Sequence, residues 1–269
     1  MSLKIVLKTA PTVPVEAEMI SLAKVVGLGE KQIAALPIYH GNQKVELGEL
    51  FKVSGKADGE MRVEGDLSRV KYIGAGMNSG KLIIEGNVGM HLGATMSGGE
   101  IVVNGNAGDW VGPEMTGGRI RVSGNAGHMV GSAIRGSLIG ILGGEIIIHG
   151  NAGNEVGSAM RRGLICIGGD SGDYTGVNML AGTVVVLGKL GIRPGAGMKR
   201  GTIVSMHDAE MLPTFSYCDT YHPLYLRMIL SYLKDAGLPV TEAQILGQYK
   251  RWNGDSIELN RGEILLFAG

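Results

Sequence analysis

The sequence of 269 residues has no excess of charge of either sign, since 25 Lys and Arg residues balance 25 Asp and Glu residues. This balance argues against a general nucleic-acid binder or a polybasic membrane protein, because both need a cationic surface. Two cysteines, Cys166 and Cys218, are too few for a disulfide framework, and the sequence has no C-x-x-C pair for zinc or redox chemistry. The apolar runs are too short to span a bilayer, and Lys4 and Lys8 interrupt the start of the chain before a signal-peptide core forms. We therefore expect a reducing, cytoplasmic location.

Aromatic residues are also scarce, at 5%, and eight of the 13 follow Met206. Glycine, in contrast, is abundant: the chain has 46, and 37 of them lie between Gly55 and Gly201. An ordinary protein has about 7% glycine, and this density together with 44% apolar residues favours a repetitive β architecture over disorder. The composition predicts three parts: an N-terminal cap (residues 1–54), a repeat region (residues 55–207) and a C-terminal appendage (residues 208–269).

The middle region is periodic. One glycine recurs at steps of 19, 19, 26, 19, 19 and 19 residues, at Gly80, Gly99, Gly118, Gly144, Gly163, Gly182 and Gly201. The unit reads G-x-I-x-V-x-G-N-A-G-x-x-V-G-x-x-M-x-x, which is too short for a βαβ crossover. We predict a mainly β fold: a single-stranded, right-handed parallel β-helix of about seven coils, with glycines at the corners where φ is positive.

Stacked coils predict ladders of like residues. The apolar triplets alternate, so that pairs such as Ile101 and Val103 point into the coil. A methionine row (Met77, Met96, Met115, Met160, Met179 and Met198, with Ile134 in the 26-residue unit) is interpreted as core packing. An Asn row (Asn87, Asn106, Asn125 and Asn151) is interpreted as structural. The outward residues of the triplets are mostly apolar, so we expect the chain's own ends or another subunit to cover that face.

Catalytic constellations are not found. GAGMNSG and GAGMKRG do not match a phosphate-binding loop, and Ser171 in GGDSG occupies the repeat position of Ala107 and Ala126. The six histidines lack metal-ligand spacing, and nothing assembles a nucleophile, a base and an orienting group. We predict no catalytic and no metal-binding residue in this chain.

Two segments outside the regular repeat are candidates for contact with a partner. The insertion RGSLIGIL (residues 135–142) is expected to bulge as an apolar loop. The tail is expected to form an amphipathic helix over residues 222–237, a second helix from Thr241 to about Trp252, and two short strands between Ile257 and Phe267. The predicted interface residues are Leu138, Ile139, Ile141, Tyr221, Tyr225 and Trp252.

The run LPIYHGNQKVELGELFKVSG (residues 36–55), followed by G-x-I-x-V-x-G-N-A-G coils, resembles the C subunit of formylmethanofuran dehydrogenase. It is more similar to the C subunit of the bacterial formyltransferase/hydrolase complex, which the tail MLPTFSYCDTYHPLYLRMIL (residues 211–230) also resembles. The coils are similar, too, to the C-terminal domain of the glutamate synthase large chain.

The resemblance implies a non-catalytic scaffold subunit of a cytoplasmic complex in one-carbon metabolism (formaldehyde oxidation). That complex passes formyl from formyl-tetrahydromethanopterin to methanofuran or an analogue and hydrolyses it to formate, with the metal in an amidohydrolase-like partner and a separate formyltransferase subunit. The alternatives are a subunit of a molybdenum or tungsten formylmethanofuran dehydrogenase and a glutamate-synthase-like spacer. A stand-alone β-helix polysaccharide lyase is disfavoured, because the outer triplet face is apolar.

Overall fold

The computed structural model describes residues 2–269 and is mainly β. The strands are β1 (Ser2–Leu7), β2 (Val15–Glu16), β3 (Pro37–His40), β4 (Gln43–Glu46), β5 (Phe51–Ser54), β6 (Lys56–Glu64), β7 (Val70–Lys71), β8 (Lys81–Glu85), β9 (Glu100–Asn104), β10 (Arg119–Val122), β11 (Glu145–Ile148), β12 (Leu164–Ile167), β13 (Thr183–Val186), β14 (Arg200–Ser205), β15 (Ser216–Tyr221), β16 (Tyr249–Gly254) and β17 (Arg261–Phe267). The helices are α1 (Leu22–Val25), α2 (Glu30–Ala34), α3 (Leu47–Leu50), α4 (Leu224–Asp235) and α5 (Glu242–Leu246).

One sheet of 13 strands runs through the molecule, and strands β6 and β8 to β14 follow each other in chain order within it. Each is parallel to the next, so that residues one repeat apart pair, as Ile101 does with Ile120 and Ile165 with Val184. A second row of parallel bridges joins the equivalent corners, with Val88 to Ala107 and Ala152 to Ser171. Successive repeats therefore stack on one another at the spacing of sheet strands, about 4.8 Å.

The alternation within each triplet positions the core. Its inward pairs are fully buried, among them Leu82 and Ile84 in β8 and Ile146 and Ile148 in β11. A glycine precedes each triplet for a steric reason. Gly118, for example, has a φ of +83°, and a Cβ on this residue would lie 2.7 Å from Met96 Cε. A left-handed backbone conformation and close approach to the preceding repeat both exclude a side chain at this position.

The Asn row forms the predicted ladder along one corner. The Oδ1 atom of Asn87 accepts a hydrogen bond from the backbone N–H of Asn106 at 2.9 Å, and Asn106 does the same for Asn125 at 2.8 Å. A second ladder was not predicted, because its members differ in type. Asp109 accepts from the backbone N–H of His128 at 2.8 Å, and His128 Nδ1 accepts from that of Asn154 at 2.9 Å. Side chains thus satisfy corner N–H groups that the sheet leaves free.

The methionine row is buried as expected, but its member in the 26-residue unit is Ile141 and not Ile134. The backbone N–H of Arg161 donates to the carbonyl of Ile141 at 2.9 Å, as that of Thr116 does to Met96 at 2.8 Å. Ile141 is fully buried, whereas Ile134 is partly exposed. The interpretation as a partner contact is therefore wrong for Ile141, which lies in the core of its own chain.

Both ends of the chain extend the sheet. Strand β1 pairs with β6 in parallel and with β5 in antiparallel orientation, while β2, β3, β4 and β7 form a small second sheet. At the other end β17 pairs with β14 in parallel, in the same register as the repeats, although the repeat motif itself ends at Gly201. Strands β16 and β15 then add to β17 in antiparallel orientation. The appendage therefore contributes a further layer to the stack.

Two details of the tail differ from the sequence prediction. Thr241 begins α5 with a side-chain cap to the backbone N–H of Gln244, as predicted, but the helix ends at Leu246, and residues 249–252 belong to strand β16. Ile257 lies in the turn before β17. Gln248, Tyr249 and Lys250 pair with the C-terminal strand segment, so sheet pairing prevails over helix formation in this region.

Candidate partner interface

The described residues, 2–269, contain no group of three or more His, Cys, Asp or Glu side chains placed to hold a metal ion. None of the helices between residues 2 and 269 has the length and apolar character needed to cross a membrane. The chemically informative surfaces are those where apolar or charged side chains outside the repeat meet the coil stack.

Helix α4 covers the outer face of the later strands. Its residues Leu226, Leu230 and Leu233 recur at helical spacing and are buried. Below them lie the outward triplet residues, which are fully buried: Ile147, Cys166, Val185, Val204 and, in β17, Leu265. The expected cover of this face is therefore supplied, for these strands, by the chain's own C-terminal segment.

Two tyrosine–carboxylate contacts hold α4 in register. The hydroxyl of Tyr232 donates to the Glu145 carboxylate, lying 2.7 Å from both oxygens, and Arg119 Nε forms an ion pair with Glu145 at 3.0 Å. Further towards the start of α4, the Tyr225 hydroxyl donates to Glu263 at 2.8 Å. Burial and then the charge of Glu263 raise the pKa of Tyr225, which keeps the phenol protonated and able to donate.

Within residues 2–269, nothing covers the opposite side of α4. Leu224 is 68% exposed and Met228 is 74% exposed, while Tyr225, whose hydroxyl contacts Glu263 in β17, is 40% exposed beside them. Leu246 in α5 is also exposed. Large apolar side chains exposed together on one helix are typical of a protein–protein contact surface.

The insertion encloses a cavity against the coil stack. The cavity has a volume of about 530 Å³. Its lining includes Trp110 and Met129 from earlier corners, Leu138 and Ile139 from the insertion, and Lys199 and Glu258 from the far end. Leu138 is 86% exposed at the rim, whereas Ile139 is half-buried. Residues 135–138 are all exposed, as expected of a bulging loop.

An aromatic stack leads to this cavity. The rings of Tyr72, His91 and Trp110 lie nearly parallel, with centroids 4.6 and 5.1 Å apart, and all three residues have positive φ. Burial and then the nearby Lys71 lower the pKa of His91 below its ordinary value. The stack follows from the repeat, since the three residues occupy the same corner position in successive coils.

The predicted interface residues separate into three places. Leu138 and Ile139 line the cavity, and Ile141 is in the core. Tyr221 and Tyr225 lie together near Glu263, where Tyr221 is half-buried against the α4 cluster. Trp252 lies on the other side of the sheet, packed on the main core and edge-on to Tyr217 with ring centroids 5.8 Å apart. The sequence prediction missed the exposed residues Leu224, Met228 and Leu246. The first two could have been identified, because they lie opposite the buried leucines of α4.

Comparison with known proteins identifies the family to which the repeat belongs. Residues 61–216 match the model of the GXGXG motif family. The match covers more than half of the chain, so the chain belongs to the GXGXG motif family.

The structure is similar to a chain in the X-ray crystal structure of the formyltransferase/hydrolase complex (FhcABCD) from Methylorubrum extorquens in complex with methylofuran. The TM-score is 0.93, the sequence identity is 32%, and the similarity covers 99% of this chain and 100% of that chain. This agreement confirms the resemblance inferred from the sequence.

Curated relatives match over shorter segments. The C subunit of the molybdenum-containing formylmethanofuran dehydrogenase 1 of Methanothermobacter thermautotrophicus is 48% identical over 82 residues, which are 30% of this chain and 20% of that protein. The C subunit of the tungsten-containing formylmethanofuran dehydrogenase 2 of the same organism is 42% identical over 90 residues, which are 32% of this chain and 33% of that protein. The chain thus spans a fifth to a third of the length of these relatives.

Proposed function

We propose that the chain is a non-catalytic scaffold subunit of a hetero-oligomeric formyltransferase/hydrolase complex. The complex would transfer formyl from formyl-tetrahydromethanopterin to methanofuran or an analogue and hydrolyse the product to formate. The cofactors of methanofuran and tetrahydromethanopterin type, and the metal, would be held by an amidohydrolase-like subunit and a formyltransferase subunit. This chain would contribute rigid surfaces against which those subunits assemble.

The observation that carries the proposal is the extent of the similarity to a chain of the FhcABCD complex. It reaches from end to end of both chains, including the C-terminal segment that covers the coil stack. The dehydrogenase relatives are more identical locally, but each alignment is confined to about 30% of this chain. The tail, which lies outside the repeat, is included in the similarity to the complex subunit, and this favours the complex over the dehydrogenase.

We further propose the finer architecture. Residues 55–207 form a right-handed parallel β-helix of about seven coils, residues 1–54 act as an N-terminal cap, and residues 208–269 form the appendage. The parallel pairing of residues one repeat apart, at the strand and again at the corner, supports this arrangement.

The partner-contacting surfaces proposed are the insertion rim at Leu138 and Ile139 and the uncovered side of α4 with Tyr225. Deleting residues 134–140 restores the 19-residue spacing while retaining Ile141 in the core. We expect this variant to fold but to co-purify less with its partners, and unchanged co-purification would count against a contact at the insertion.

The second candidate function, the C subunit of a molybdenum or tungsten formylmethanofuran dehydrogenase, is favoured by the 48% local identity. Purification of the tagged chain from its native cells separates the two. We expect formyltransferase and hydrolase subunits in the assembly, formate release from a formylated furan cofactor, and neither molybdenum nor tungsten by metal analysis. The isolated chain should release no formate. Stoichiometric molybdenum or tungsten would establish the dehydrogenase instead, and a chain that purifies alone would refute both.

A further inference from the structure

The corner that follows the methionine row changes character along the stack. In the earlier units the two residues after the buried Met or Ile are uncharged: Asn78 and Ser79, Ser97 and Gly98, Thr116 and Gly117, Leu142 and Gly143. In later units the same two positions hold Arg161 and Arg162, and then, two coils further on, Lys199 and Arg200. Since the earlier coils close this corner without a charge, the fold itself does not require cations there.

A fifth cation extends the row. Arg200 in β14 pairs in register with Arg261 in β17, so both residues lie at the same position of neighbouring parallel strands. We call Arg161, Arg162, Lys199, Arg200 and Arg261 the basic corner. Four of them, Arg161, Arg162, Lys199 and Arg200, line a groove of about 350 Å³ whose remaining lining is Leu180, Ala181 and Leu259.

The positive charge of the basic corner is poorly compensated. Within residues 2–269, its one ion pair joins Lys199 Nζ to Glu258 at 3.7 Å, and the four arginines have no carboxylate oxygen within 4.0 Å. The chain as a whole carries no net charge, so the corner is a local concentration of cations. Like charges side by side in neighbouring strands destabilise a sheet. Among residues 2–269, the arginines of the basic corner form no ion pair that would compensate for this loss of stability.

We infer that the basic corner is a binding site for an extended acidic peptide segment. Arg162 and Arg200 lie two coils apart, about 10 Å along the stack. This distance equals about one turn, or three residues, of an extended polyproline II chain, in which side chains three residues apart lie on the same side. Carboxylates three residues apart would each meet a guanidinium group, whose planar fork binds a carboxylate through two N–H groups. The floor between the two cationic rows is apolar, with Leu180 and Leu259, and would accept an apolar side chain between the acidic ones.

The geometry favours a peptide over other anions. A single phosphate or carboxylate is too small to reach both rows, so it would use only one of them. A nucleic acid would find phosphate contacts but no stacking platform, because the residues that line the groove include no aromatic ring. The balanced charge of the rest of the chain also lacks the broad cationic field of a nucleic-acid binder.

The test uses the full-length chain and a fluorescein-labelled octa-aspartate peptide, with binding measured by fluorescence anisotropy. The variant Arg161→Gln/Arg162→Gln/Arg200→Gln should weaken binding at least about tenfold, and higher ionic strength should weaken binding of the wild type. The matched control Lys44→Gln/Lys52→Gln/Lys56→Gln removes the same charge from exposed positions elsewhere and should change the affinity less than about twofold. Replacing the three arginines by lysine should give an intermediate affinity, since charge is kept and the fork is lost.

Several outcomes would overturn the inference: no binding by the wild type, an equal loss in the control, or competition by tripolyphosphate or a single-stranded oligonucleotide more effective than by unlabelled peptide. Thermal unfolding of the glutamine variant should show an unchanged or higher melting temperature, because like-charge repulsion is removed. The inference does not depend on the proposed function. A chain that assembles into the formyltransferase/hydrolase complex but does not bind the peptide would refute the inference alone.

Discussion

A single row of outward-facing side chains runs along the parallel strands, and its two halves are covered differently. From β6 to β10 the row consists of Arg62, Ile83, Val102 and Arg121, in register from strand to strand. Ile83 is only 8% exposed, and the arginine stem of Arg62 on the neighbouring strand is long enough to cover it. From β11 to β17 the row is entirely apolar and α4 buries it. The strand repeat determines where these side chains point, while residues outside the repeat determine what covers them.

The largest effect should come from placing a charge beneath the helix. Leu230 of α4 is fully buried on the apolar half of the row. Leu230→Asp should lower the free energy of unfolding by about 3–5 kcal/mol, because an unpaired carboxylate would be buried. Denaturant unfolding followed by circular dichroism measures it. Met228→Asp, on the exposed side of the same helix, should change stability by less than about 0.5 kcal/mol. Equal losses in the two variants would show that α4 does not pack as described.

The tyrosine contacts should have the next largest effect. Tyr232→Phe removes the donor to Glu145 and leaves a partly buried carboxylate with one fewer partner. A loss of about 1–2 kcal/mol is expected in the free energy of unfolding. The control is Tyr217→Phe, whose hydroxyl bonds only to exposed Thr220 at 3.0 Å, and it should be nearly neutral. If Tyr232→Phe is equally neutral, the contact does not fix the helix.

A smaller effect is expected on the arginine-bracketed half. Arg121→Ala removes the stem beside Val102 and should cost about 1 kcal/mol of unfolding free energy, whereas Arg121→Met keeps an unbranched apolar chain and should cost less. The same denaturation experiment applies. Equal losses for the two variants would indicate that the charge of Arg121, which both remove, and not its stem, protects this half of the row.

The smallest effect is expected on the pH dependence of stability, through His149 at the boundary of the two halves. Burial and then nearby Arg121 lower the pKa of His149, so the folded chain favours the neutral imidazole. The stabilisation that results is present above the ordinary histidine pKa of about 6.5 and is lost as the pH falls through the lowered value. Between about pH 7 and pH 5, the wild type should lose more stability than His149→Gln. Parallel pH profiles for the two proteins would contradict this.

The sequence predicts best those features that repeat. The inward pairs, the Asn ladder and the methionine row follow from fixed 19-residue steps, since each coil repeats the environment of the one before. The prediction was wrong at Ile134 because the insertion was counted from the preceding glycine. Counting back three residues from Gly144, as Met160 precedes Gly163, would have identified Ile141.

Features that depend on contacts between the tail and the stack were harder to predict. The residues after Leu246 pair with the last strand, a long-range interaction that no local helix propensity reveals. The cover of the outer face was expected, but the sequence left open whether a partner or the chain itself supplies it. The ladder of Asp109, His128 and Asn154 was missed because three different residue types accept the same kind of hydrogen bond from the backbone of the next repeat. The sequence therefore predicted the coils better than the surfaces on which a partner would bind.

The two cysteines allow the most direct test of the central claim, that α4 seals the apolar half of the row. Cys166 is fully buried beneath the helix, and burial raises the pKa of its thiol, whereas Cys218 is exposed. In the variant Cys218→Ser, dithionitrobenzoate should react with Cys166 only as the chain unfolds, while Cys166→Ser should leave one thiol, Cys218, that reacts at once. In Cys218→Ser/Leu230→Asp, the reaction of Cys166 should be accelerated under conditions where circular dichroism still shows a folded β protein. Rapid reaction of Cys166 in the folded Cys218→Ser chain, without any change in α4, would contradict the account.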